Sequence, residues 1–159
     1  MSVTSIIVTV LALGLAWFIY SGNQKQKQIA QINRIDAEEF LAKNASKEGI
    51  ITTVSGLQYE IIHKGEGSAS PSINDSVTVH YHGTLLSGMV FDSSVDRGEA
   101  LTFSPKQVIT GWTEALQLMV EGDKFRLFIH PDLAYGDRAA GKIGAGSLLI
   151  FEVELLKIK

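Results

Sequence analysis

Apolar positions divide the chain into three parts. Val3–Tyr20 runs for eighteen residues without a charge, and as a helix it reaches about 27 Å, close to the hydrocarbon thickness of a bilayer. Trp17 and Tyr20 stand where interfacial aromatics are expected. The run reads as an uncleaved single-pass anchor over residues 1–22. A cleaved signal peptide and a buried helix are the competing readings. Against the first, no basic residue precedes the run and no small-x-small pattern follows it; against the second, it is apolar all round. Gln24–Lys47 is polar, with Ile29, Ile32, Ile35, Phe40 and Leu41 at irregular helical intervals and Gly49 as terminator. This predicts a helical stalk within residues 23–52, roughly 36 Å long, whose apolar positions are also candidates for a homodimer face.

From Thr53 the period falls to two. Leu57, Tyr59 and Ile61 alternate with polar neighbours, as do Val77, Val79 and Tyr81, then Phe125, Leu127 and Ile129, and finally Leu149, Phe151, Val153 and Leu155. Leu101 and Phe103 form a shorter run, broken by Ser104-Pro105. Between them Val108, Trp112, Leu116 and Met119 recur at three- and four-residue spacing, predicting one short amphipathic helix stopped by Gly122. One helix among five or six mostly antiparallel strands implies an α+β domain over residues 53–159, a curved sheet wrapped around that helix.

Composition adds mainly exclusions. The chain has 159 residues, enough for one domain with an appendage, and 45% of them are hydrophobic. A net charge of −3 gives nucleic acid no general basic field to bind. The absence of cysteine removes disulfides, thiolate metal sites and thiol catalysis. His80 and His82 share a strand face, but no second ligand pair is evident, and an exposed face accounts for them better than a metal. Glu152 and Glu154 read as solubilising residues on the solvent side of the last strand.

Candidate chemistry concentrates in Val77–Arg97. The strand ending near Tyr81 is followed by the Ser87-Gly88 turn and by Met89-Val90-Phe91, which ends on Asp92. A carboxylate directly after a core aromatic needs a partner if buried, and Arg97 lies five residues on. On pattern alone Asp92 also fits the start of a turn, Arg97 a solvated charge, and Trp112 ordinary core.

Five stretches in order change this reading: Val79-His80-Tyr81-His82-Gly83, Phe91-Asp92-Ser93-Ser94, Val108-Ile109-Thr110-Gly111-Trp112, Ala134-Tyr135-Gly136 and Phe151–Leu156. Together they resemble the FKBP-type peptidyl-prolyl cis-trans isomerases. The Thr53–Tyr59 segment is similar to the bacterial branch that includes the macrophage infectivity potentiator proteins. The resemblance implies a proline pocket with Trp112 as floor and Tyr81, Phe91, Leu101, Phe103, Val108, Ile109, Ile143 and Phe151 around it. It implies Asp92, Tyr135 and Tyr81 as the catalytic side chains, with Arg97 holding Asp92 and the Ile109 backbone N–H on the polar rim. Leu101 stands where many relatives carry an aromatic. Ile143-Gly144-Ala145 replaces the usual Ile-Pro-Pro, which predicts a freer flap.

The implied partners are proline-containing polypeptides and, as pocket ligands, rapamycin-type macrolides; no cofactor or metal is called for. The implied function is a membrane-anchored isomerase assisting protein folding, or alternatively a chaperone or adaptor module with little isomerase activity. Lys25 and Lys27 after the span favour a cytoplasmic domain by the positive-inside rule. Export of relatives in the bacterial branch favours the periplasmic face of the inner membrane, which is the expectation carried forward.

Overall fold

Alternating positions become seven strands, one more than the five or six expected. The computed structural model describes the backbone of residues 3–159 and the side chains of residue 13 and of residues 15–159. The strands are β1 (Ile50–Thr52), β2 (Gln58–His63), β3 (Val77–Leu85), β4 (Val90–Ser93), β5 (Leu101–Phe103), β6 (Lys124–Ile129) and β7 (Leu149–Ile158). They pair antiparallel in the order β1-β2-β6-β7-β3-β4, with β5 also on β3. The additional strand is β1, whose three residues are too few to show an alternation. The central ladder sets Val79 opposite Leu155, Tyr81 opposite Val153 and Gly83 opposite Phe151.

Each face of this sheet carries a helix. On one, the odd-numbered residues of β3, β6 and β7 pack with Trp112, Ala115 and Leu116 of a short helix, Thr110–Leu116. That helix is briefer than the expected Val108–Met119 repeat, because Val108 and Ile109 stay extended before it and Met119 is buried after its end. On the opposite face Phe128, Leu148 and Ile150 meet Ala37, Phe40 and Leu41 of the long helix Val3–Asn44, hereafter α1. The end of α1 is fixed by a buried amide pair: Asn44 Nδ2 donates to Gln58 Oε1 (3.0 Å), and Gln58 Nε2 to the Leu41 carbonyl (2.9 Å). Two of the candidate dimer positions, Phe40 and Leu41, are thus used within the chain, while Ile32 and Ile35 remain exposed.

The membrane expectation requires correction. Among the described residues no helix is long and apolar enough to cross a membrane. The side chains of residues 3–12 and 14, on which much of that reading rested, lie outside the described residues. The single-pass inner-membrane placement is therefore withdrawn, with the transmembrane helix of the fold class and the membrane contact through residues 3–20.

Candidate functional site

The site begins at the end of β4. Asp92 is paired with Gly83 near the end of that strand, and Ser93, its last residue, caps a one-turn helix, α2 (Ser94–Arg97), by accepting from the Asp96 N–H (3.1 Å). Gly98, at φ +70, closes that turn in the left-handed region that favours glycine. One turn of helix brings Arg97 back toward Asp92. Its guanidinium donates to Asp92 Oδ1 and, at 2.9 Å, to the Tyr81 hydroxyl, while Tyr81 donates to Asp92 Oδ2 at 2.6 Å. The three groups form a closed polar triangle above an aromatic wall. Buried Ser94 braces it from behind, accepting from the Tyr81 N–H at 2.7 Å and meeting His80 Nδ1 at 3.0 Å. His82 meets Ser93 in the same way.

Electrostatics follow from this geometry. Partial burial pushes the Asp92 carboxyl up, but the Tyr81 hydroxyl and the Arg97 guanidinium outweigh it and hold the group below the usual carboxylate range. Burial, reinforced by donation to Asp92, pushes the Tyr81 phenol up. Asp92 is thus held charged and Tyr81 neutral.

Beneath the triangle lies a cavity of about 640 Å³. Trp112, only 5% exposed, is its base. Its ring centroid is 5.4 Å from that of Tyr81, 5.1 Å from Phe151 and 5.7 Å from Phe103, the first two edge to face. Such pairs add about 0.5–1.5 kcal/mol each beyond burial. Phe91 meets Phe151 edge-on at 5.3 Å. That approach depends on Gly83, where a Cβ would stand 2.7 Å from Phe91 Cζ and 2.8 Å from Phe151 Cε1. Leu101, Val108, Ile109 and Ile143 complete the apolar lining. Asp92, with its side chain 44% exposed, and Tyr135, 43% exposed, mark the mouth. The indole Nε1 of Trp112 is buried without a hydrogen-bond partner among the described residues, a type of cost that native folds rarely accept.

All the residues the sequence proposes for the pocket line this cavity, except Arg97, which acts one contact away through Asp92 and Tyr81. Gln107, Ala140, Gly141 and Lys142 also line it. Gln107 left a faint trace as the last residue of the Ser104-Pro105-Lys106-Gln107 capping box, in which its Oε1 accepts from the Ser104 N–H at 2.8 Å. The other three carry no sequence signal. Outside the site, Glu152 belongs to a chain of ion pairs, 2.8 Å from Arg126 and 3.0 Å from Lys124.

Comparison with known proteins accords with this geometry. Residues 67–156 match the family described as FKBP-type peptidyl-prolyl cis-trans isomerase, and residues 16–61 match the domain amino terminal to it. The chain is 54% identical over 127 residues to an FKBP-type peptidyl-prolyl cis-trans isomerase FkpA of Aeromonas hydrophila, covering 80% of this chain and 47% of that one. It is 50% identical over 134 residues to an FKBP-type 22 kDa peptidyl-prolyl cis-trans isomerase of Escherichia coli, covering 84% and 65%. The crystal structure of FkpA from Escherichia coli superimposes with a TM-score of 0.90 at 39% identity, covering all of this chain and 74% of that one. The chain spans about half the length of the first two curated relatives it matches. With the aromatic bowl and its polar triangle in place, these matches show that the chain belongs to the FKBP-type peptidyl-prolyl cis-trans isomerase family.

Proposed function

We propose that the protein catalyses cis–trans isomerisation of X-Pro bonds in client polypeptides, with Trp112 as the floor of the prolyl site and Asp92, Tyr81 and Tyr135 as its polar side chains. The observation that carries this reading is the aromatic cavity over Trp112 with its mouth at Asp92 and Tyr135. An amide resists rotation by about 18–20 kcal/mol because of resonance, and water solvates the charge-separated form that resonance creates. A dry aromatic wall removes that solvation and favours the twisted imide, in which the resonance is lost. A 10⁴-fold acceleration needs roughly 5–6 kcal/mol, which transition-state complementarity of shape and polarity supplies without proton transfer. Rapamycin-type macrolides are expected to compete for the same pocket, as membership of the family implies.

A coupled isomerisation assay on a short X-Pro peptide with the full chain tests this, and its pH profile tests the mechanism. Asp92 has a lowered folded-state value, so its contribution is present above the unfolded value of about 4 and is lost as pH falls through the folded one. Tyr81 is raised, so its contribution is present below about 10 and is lost as pH rises through its folded value. The rate is therefore expected to be level between about pH 5 and 9. A bell-shaped profile inside that window would instead indicate acid–base chemistry. No acceleration, with client aggregation suppressed, would replace the enzyme by the adaptor reading.

A second copy of the chain would meet α1 at the exposed Ile32 and Ile35. Sedimentation that shows a monomer at every concentration would remove that assembly.

A further inference from the structure

Losing two flap prolines predicts a freer loop, yet Ala145 is fully buried and the turn around it lies against α1. Asn33 Nδ2 donates to the Ala145 carbonyl at 2.7 Å and reaches Ser147 Oγ at 3.5 Å. Gly146, at φ +72, comes so near the helix backbone that a Cβ there would stand 2.9 Å from the Ala30 Cα. One residue along α1, Arg34 donates from Nη2 to Asp132 (2.7 Å) and from Nε to Asp137 (2.6 Å). Those two carboxylates bracket Tyr135 in the chain, and the Asn33 contact on Ala145 lies two residues past Ile143. The neck between the two anchor points is closed by the Gly146 N–H on the Gly136 carbonyl at 2.9 Å, and the tip by mutual Ala140–Ile143 bonds at 2.9 Å. Both ends of the loop that forms one wall of the cavity are therefore tied to a single turn of α1.

We propose that Asn33 and Arg34 are positioning residues: α1 restrains the Tyr135–Ile143 wall of the prolyl site from outside, in place of the stiffness that prolines at 144 and 145 would give from within. This deepens the isomerase reading and rests on it. Asn33 should dominate. Its acceptor is a buried carbonyl for which water is no ready substitute, whereas Arg34 is half-buried and its two aspartates are solvent-exposed, so those ion pairs are screened by salt. A wall that touches the prolyl ring in both ground and transition states contributes uniform binding, so loosening it raises KM and leaves kcat. A helix that merely stabilises the fold would not produce that split.

The test compares the full chain with N33A, the near-isosteric N33D and R34A. Steady-state isomerisation is read alongside hydrogen exchange at the amides of Ile143 and Gly146. N33A and N33D are expected to raise KM about three- to tenfold with kcat within about twofold. Exchange at Ile143 and Gly146 should rise about tenfold while the amides of β7 keep their protection. R34A is expected to give a smaller effect that fades at high salt, and because Arg34 lies outside both hydrophobic clusters it remains informative if the Asn33 variants fold poorly. Unchanged KM and loop exchange in all three variants, or exchange rising equally in β7, would overturn the proposal. A wild-type chain without isomerase activity would count against the isomerase reading alone, since exchange at the loop reports the restraint independently.

Discussion

Trp112→Ala is expected to empty the floor of the pocket, weakening binding of a prolyl ligand beyond measurement and destabilising the fold by about 3–5 kcal/mol. The indole touches three other rings, Tyr81, Phe103 and Phe151, each on a different strand, so removing it disconnects the aromatic wall as well as leaving a void. Ala115 and Leu116 beside it are fully buried and cannot move to fill the gap without breaking their own packing. Denaturant unfolding measures the stability loss, and titration with a macrolide measures the binding. Trp112→Phe separates the two effects, since a phenyl ring keeps much of the apolar contact but shortens the floor; it should retain the fold and still lose affinity. Wild-type affinity in Trp112→Phe would remove the indole from the site.

Asp92→Ala should lower kcat/KM about ten- to a hundredfold with little change in secondary structure. Two donors lose their acceptor at once, the Tyr81 hydroxyl at 2.6 Å and the Arg97 guanidinium. The phenol then keeps only its bond from Arg97, which has itself lost its carboxylate. Because the carboxylate is nearly half exposed, water rescues part of the loss, and the effect stays below the full cost of breaking a buried ion pair. Asp92→Asn keeps the shape and one acceptor, so it should fall between wild type and Asp92→Ala. Isomerisation kinetics decide the order of the three; equal rates for all of them would exclude Asp92 from the site.

The parts of this architecture with a repeating period were legible in the chain. Alternation in β3, β6 and β7 located the sheet, and the spacing of Trp112 and Leu116 located the helix against it. Asp92 and Arg97 stood out because a carboxylate after Phe91 needed a partner within reach. The short strand β1 was not legible, since three residues carry no period. Nor was the role of α1. Phe40 and Leu41 looked like candidates for a partner chain because a sequence does not show that Phe128 and Ile150, more than eighty residues away, turn their side chains outward to meet them. Asn33 and Arg34 carry no signal in the sequence for the same reason: their partners, Ala145, Asp132 and Asp137, are about a hundred residues distant.

The order of strands bears on how the molecule is made. β7 follows the other six strands in chain order, yet it lies in the middle of the sheet, with β6 on one side and β3 on the other. Until it arrives, both neighbours present open edges, and Trp112 lacks Phe151. The aromatic bowl therefore cannot close before β7 has paired with both neighbours, so the pocket depends on a long-range pairing made late in folding.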